Sequence, residues 1–193
     1  VKSTPHLLVF DGFADWEPAF AIAELRRSGG HQVTTVGYSG EPAVSMGGLC
    51  VLPDVDVAEV DPESVRILIL PGGDRWEQQT LDEGLARLLE RLVRARTPIA
   101  AICGATLAVV RAGVLQGRKH TSNGLDYLKR QVPEYAAEAD YVDALAVRDR
   151  GLITASGLGA VEFAREIFAQ LGVFSEEDRA TWYRMFKEGR GQA

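Results

Sequence analysis

One decapeptide narrows the folds open to this chain more than any other stretch. Thr97-Pro98-Ile99-Ala100-Ala101-Ile102-Cys103-Gly104-Ala105-Thr106 joins an apolar run to a cysteine and then changes character. Ile99–Ile102 has the unbroken apolar pattern of a strand buried on both faces of a parallel sheet. Residues 104–110 favour a packed helix that ends near Gly113. Cys103 therefore falls in a sharp strand-to-helix turn. Such a turn crowds the backbone and requires small neighbours, and Ala101, Gly104 and Ala105 meet that need. This is the steric logic of a nucleophile elbow, with cysteine in place of serine. A thiol there meets backbone N–H groups and the positive end of a helix dipole, which favour the thiolate. The plain alternative is a buried, inert cysteine packed as a small hydrophobe.

The rest of the chain alternates strands with helices. Strands are expected at His6–Phe10, Val33–Val36 and Ile67–Leu70. A helix capped by Asp15, with Pro18 in its first turn, is expected to run to about Ser28. Leu81–Ala95 has helical apolar spacing, and Glu41–Leu52 reads as a small hairpin excursion. Arg118–Gly124 reads as a short strand entering a loop, followed by a short helix over Leu125–Arg130. Ala144–Arg148 and Leu152–Ala155 read as paired strands, and Val161–Leu171 as a helix. Ser175 with Asp178 starts a last helix through about Lys187. The expected fold is α/β: a flavodoxin-like, Rossmann-like three-layer sandwich with a mostly parallel sheet and helices on both faces. All 193 residues are read as one domain. Reactive groups in such sheets gather at the carboxyl ends of strands. Three loops stand out there: Asp11–Glu17, Pro71–Arg75 and Cys103 itself.

Charge and cysteine usage remove several classes. Net charge is −6 without a basic cluster, which argues against nucleic acid or anionic membrane as the main partner. No apolar run approaches the roughly 20 residues of a membrane span, and Val1–Pro5 leads into a strand without a signal-peptide core. A cytoplasmic location is the resulting expectation. Cys50 and Cys103 form neither a disulfide framework nor a zinc set, so no metal or other cofactor is called for. Cys50 is read as a packed thiol, His6 and His31 as structural, and Trp16 and Trp76 as packing residues or walls of a pocket.

Three segments together resemble the ThiJ/PfpI (DJ-one/PfpI) superfamily, which is related to class I glutamine amidotransferases. They are Val9-Phe10-Asp11-Gly12-Phe13-Ala14-Asp15-Trp16-Glu17, Leu70-Pro71-Gly72-Gly73 and Ala101-Ile102-Cys103-Gly104-Ala105. Leu152–Gly157 followed by Glu162-Phe163-Ala164 is similar to the family's last strand and helix. The resemblance implies a reactive Cys103 with Glu17 beside it. Like charges at that spacing require one of the two groups to hold a proton. A protonated Glu17 donates a hydrogen bond to sulfur and serves as general acid or base; its alternative is an ordinary acidic first-turn residue. Gly72, Gly73 and Gly104 are candidates to present backbone N–H groups to an oxyanion, or else form a simple turn. Where protease-like members carry histidine after the cysteine, this chain has Gly104, which counts against peptidase activity. Where glyoxalase-type members end a Thr-Thr-His stretch in histidine, Thr121-Ser122-Asn123 stands here, leaving Asn123 to bind substrate without shuttling a proton. His120 is a third catalytic candidate, reaching the site if its segment is loop; on a strand its odd offset from Asn123 sends it to the opposite face.

The leading expectation is a cysteine-dependent enzyme acting on small electrophiles (glyoxalase- or deglycase-like) or on C–N bonds as an amidohydrolase. The alternative is a redox-responsive stress protein or chaperone that senses peroxide through Cys103 without turnover. An amidotransferase domain working with a synthase needs a His–Glu pair near the chain's end, and none is found. The resemblance implies a homodimer, with a small-molecule substrate or peroxide as its other partner.

Overall fold

The computed structural model describes residues 3–78, 80–115 and 117–190. Its centre is a seven-stranded sheet. In chain order the elements are β1 (Thr4–Leu8), α1 (Trp16–Arg27), β2 (Thr34–Gly37), the short pair β3 (Ala43–Val44) and β4 (Cys50–Val51), and β5 (Val55–Asp56). There follow β6 (Val65–Leu70), α2 (Arg75–Gln78), α3 (Glu83–Arg94), β7 (Ile99–Ile102) and α4 (Thr106–Arg111). The last are α5 (Leu125–Gln131), β8 (Ala146–Asp149), β9 (Leu152–Ala155), α6 (Ala160–Leu171) and α7 (Glu176–Glu188). The strand order is β5-β2-β1-β6-β7-β9-β8. All neighbours are parallel except β8 and β9. β3 and β4 form the expected hairpin outside this sheet.

The topology fixes where chemistry sits. From β1 the chain steps through α1 to β2 on one side; from β6 it steps through α3 to β7 on the other. Right-handed crossovers then put α1 and α3 on opposite faces. α6 joins α1, and α7 packs on α6, so these three form one layer. The direction of winding reverses between β1 and β6, and at such a switch point the loops leaving the strands diverge and open a crevice. The loops after β1, β6 and β7 all open at that carboxyl edge.

The central strands are buried along their length: every residue of β7 and β9 is buried, and β6 is buried except at Arg66. α3 presents Leu85, Leu88, Leu89 and Leu92 to the core, and the Asp82 side chain caps it by accepting from Leu85 N–H. That cap starts the helix two residues later than Leu81 suggested.

Three local expectations are corrected. β1 ends at Leu8; Val9 gives one last bond to Val36 O, then the chain turns, with Val9 and Phe10 still buried. Asp15 precedes α1 but its side chain does not cap it. Its carboxylate instead accepts from Ser45 Oγ at 2.5 Å and Gly47 N at 3.1 Å, tying the β3–β4 hairpin to the start of α1. Residues 118–124 are not a strand beyond a single bridge from His120 to Tyr141. β9 is already paired on both sides, by β7 and β8, so the segment finds no open ladder there. Thr121 N–H is satisfied by the Thr154 hydroxyl at 2.8 Å instead.

Candidate active site

β7 delivers Cys103 to the carboxyl edge, and the backbone turns there at once. Cys103 has φ +58°, a left-handed conformation in a residue with a side chain. Such a conformation costs about 1–2 kcal/mol and persists only where surroundings enforce it. Thr106 supplies part of that enforcement. Its hydroxyl bonds the Cys103 carbonyl at 2.7 Å and the Ser122 hydroxyl at 2.6 Å, tying the turn to the 118–124 loop. The small neighbours are necessary. A Cβ on Gly104 would lie 3.1 Å from the Trp76 ring and 3.2 Å from Gly73 O.

Glu17, in the first turn of α1, is only 1% exposed and shares a hydrogen bond with the Cys103 side chain. Gly72 N–H donates to its Oε2 at 2.5 Å. Gly72 admits the pair because a Cβ there would fall 2.6 Å from Glu17 Oε2 and 2.8 Å from Cys103 Cβ. Asn123 completes the sulfur's surroundings. Its Nδ2 donates to Cys103 Sγ at 3.3 Å, and its Oδ1 accepts from Gly157 N–H at 2.9 Å. Gly104 N–H also bonds the sulfur.

Burial, first, and the facing Glu17 charge, second, push the Cys103 thiol up to about 11, against the pull of Asn123 and Gly104. Burial likewise raises the Glu17 carboxyl, opposed by the Gly72 and Cys103 hydrogen bonds. Desolvation and a like charge thus oppose the pull that the start of the following helix exerts on the thiol. Both shifts run the same way, each favouring the protonated form of its group.

The structure brings together Cys103, Glu17, Gly72, Gly73, Gly104 and Asn123, but it directs His120 elsewhere. The His120 ring is 1% exposed, with Nε2 on the Tyr135 hydroxyl at 2.6 Å and Nδ1 on Arg118 O at 2.8 Å. Both nitrogens are committed away from the thiol, so His120 is corrected to a structural residue. Of the three glycines, Gly72 spends its N–H on Glu17 and Gly104 on the sulfur. Gly73 N–H alone makes no hydrogen bond among the described residues.

Two neighbours were not foreseen. A Cβ at Gly157, after β9, would lie 2.9 Å from Cys103 Sγ and 3.4 Å from Glu17 Oε1, so this glycine leaves the sulfur its space. Tyr127, on α5, feels the Cys103 charge and donates to Glu77 at 3.0 Å. Gly157 closes the Leu152–Gly157 segment that carries the resemblance, but nothing in the sequence marks either residue as a neighbour of the sulfur, because each depends on how a distant loop returns to the elbow. Trp76 packs in the core, its Nε1 bonded to Pro71 O at 2.8 Å, whereas Trp16 is 52% exposed. His6 is buried with Nδ1 on Thr4 O, and Cys50, read as packed, is exposed.

A family model described as the DJ-1/PfpI family matches residues 6–170. The chain belongs to the DJ-1/PfpI family. A Bacillus subtilis (strain 168) relative, "Uncharacterized protease YoaZ", is 38% identical over 190 residues, covering 94% of this chain and 90% of that one. "Deglycase TK1284" from Thermococcus kodakarensis is 31% identical over 143 residues, 74% of this chain and 83% of that protein. The crystal structure of the DJ-1 superfamily protein Atu0886 from Agrobacterium tumefaciens superposes with a TM-score of 0.88 at 36% identity, covering 97% of this chain and all of that one. DJ-1/PfpI relatives thus carry names of proteases and of deglycases, on one fold. No helix among the described residues is long and apolar enough to cross a membrane.

Proposed function

We propose that this DJ-1/PfpI chain is a cysteine-dependent enzyme that adds the Cys103 sulfur to a small reactive carbonyl. The observation that carries the reading is the buried Glu17 carboxyl hydrogen-bonded to the Cys103 side chain. The Cys103 proton passes to Glu17, and the sulfur attacks the carbonyl carbon. A C–S bond forms, the C=O π pair moves to oxygen, and that oxygen takes the proton from Glu17, leaving a hemithioacetal. Gly73 N–H, which makes no hydrogen bond among the described residues, is the candidate donor to the developing oxyanion. Gly104 in place of a histidine leaves no His–Cys pair for peptide hydrolysis, which favours a deglycase- or glyoxalase-like role over a protease-like one.

A second reading rests on Asn123. It satisfies the sulfur with a donor that cannot move protons, so Glu17 is the proton relay at the thiol among the described residues. That suffices for one-step oxidation. Sulfur attacks peroxide, the O–O bond breaks, and the departing hydroxide takes the Glu17 proton as water, leaving a sulfenic acid. Purified protein incubated with methylglyoxal separates the readings. Catalytic consumption abolished by Cys103→Ala supports the enzyme. No turnover, with one oxygen added by mild peroxide at Cys103 rather than at exposed Cys50, supports the sensor.

A homodimer is also proposed. Val44, Met46, Leu49 and Leu52 are exposed on and beside the β3–β4 hairpin, and Trp16 is exposed where Asp15 ties that hairpin to α1. Exposed apolar side chains grouped in this way mark interaction surfaces.

A further inference from the structure

A second concave site lies at the far edge of the sheet from Cys103. Its cavity of about 220 Å³ is lined by Arg96, Arg118 and Arg150 and by Val93, Val114 and Leu152. Ile99 and Leu152, the first residues of β7 and β9, also belong to its wall, so it opens at the amino ends of those strands. Three guanidinium groups share one small cavity, and no carboxylate is among the described residues that line it.

The local bonding leaves this charge largely unspent. Arg118 gives one Nη to Val114 O, but its Nε is buried with no hydrogen-bond partner among the described residues. A buried donor without an acceptor is costly, and native structures rarely keep one without a reason. Arg96 has no ion pair or side-chain hydrogen bond among the described residues. Arg150 reaches Gly117 O and, at 3.4 Å, the Asp149 carboxylate. That carboxylate also accepts from Lys119 N–H at 2.9 Å, so it is shared. A net charge of −6 makes three arginines around a cavity stand out from the rest of the molecule.

We propose that this cavity is a binding site for a small phosphate monoester. The phosphate oxygens accept from the guanidinium groups of Arg96, Arg118 and Arg150, and a body of a few carbon atoms rests on Val93, Val114 and Leu152. Arginine's planar fork suits phosphate oxygens, and each such charge-assisted bond is stronger than a neutral one. The cavity is smaller than most ligand sites, which restricts the ligand to a short organic body. The site shares no lining residue with the Cys103 site, so it stands or falls apart from the proposed chemistry.

The test is an NMR titration of the 15N-labelled full chain, following arginine Nε–H signals, at about 0.15 M salt to suppress loose surface binding. Inorganic phosphate and glycerol 1-phosphate are the probes. A saturable shift of the Arg118 Nε–H signal is expected, with glycerol 1-phosphate binding several-fold tighter. Arg96→Glu should weaken binding about tenfold or more without lowering Tm, since the Arg96 side chain makes no ion pair or hydrogen bond among the described residues. Arg87→Glu, on the outer face of α3, should change it less than about twofold. No saturation by about 20 mM of either probe overturns the site. Equal weakening by Arg87→Glu overturns it too, since binding would then follow overall charge. Phosphate binding as tightly as its ester overturns the organic ligand.

Discussion

At the residue scale the site rests on two acids, Glu17 and Cys103, buried against each other. Glu17 has its pKa raised by burial, so its ionisation weakens the fold. A group raised in this way contributes stability below its unfolded value, near 4.5, and loses it as pH rises through the folded value. Glu17→Gln should therefore raise Tm at pH 7–8, by roughly 2–4 °C for each kcal/mol relieved, with the gain fading towards pH 4. Gln keeps the oxygen that accepts from Gly72, so calorimetry across pH isolates the charge; carbonyl turnover in the same variant should be lost. Asn123→Ala removes a donor that lowers the Cys103 pKa, so thiol alkylation at pH 8 should slow by up to about tenfold. An unchanged rate would show that Asn123 does not tune the sulfur. Gly157→Ala puts a Cβ 2.9 Å from the sulfur, closer than the two atoms can sit. Turnover should fall by about 100-fold with secondary structure intact by circular dichroism, because a displacement near 1 Å is enough to spoil attack geometry.

At the element scale, the strand-and-elbow unit was legible in sequence and the loops around it were not. The apolar run Ile99–Ile102 and the small residues beside Cys103 carry their own packing instructions, so the turn could be read locally. Glu17 was legible only through resemblance, since an acid in the first turn of a helix is ordinary. His120 was misassigned because its partner, Tyr135, arrives from a loop fifteen residues on. Its odd offset from Asn123 pointed the right way, even though the segment is not a strand. Asp15 looked like a cap, but the hairpin competes for its carboxylate and wins. The last helix shows how far polar contacts fix an element. Tyr183 and Lys187 of α7 bond Glu162 of α6 at 2.7 and 3.0 Å, and Trp182 reaches Glu24 of α1 at 3.3 Å. Trp182 also stands edge-on to Phe168 and Phe20. Trp182→Ala should cost about 3–5 kcal/mol in urea unfolding. Alkylation of native Cys103 should be unaffected, because α7 makes none of the contacts at the elbow.

At the scale of the whole molecule, the sheet separates the two proposed sites. Cys103 lies at the carboxyl edge, and the arginine cavity lies at the amino edge. The hairpin tied to α1 offers exposed Leu49 and Met46 as a contact surface. Light scattering at micromolar concentration should give twice the chain mass, and Leu49→Glu with Met46→Glu should return it to one chain; a monomeric wild type would refute the dimer. The left-handed turn at residue 103 has a wider consequence. Its sulfur is unusual only while distant parts of the chain stand around it, and once they part it becomes a common cysteine in water. Cys50, already in solvent, lacks that dependence. Each chain thus carries a thiol indifferent to folding beside one that registers it, and the ratio of their labelling rates would gauge how intact a sample is without any added dye.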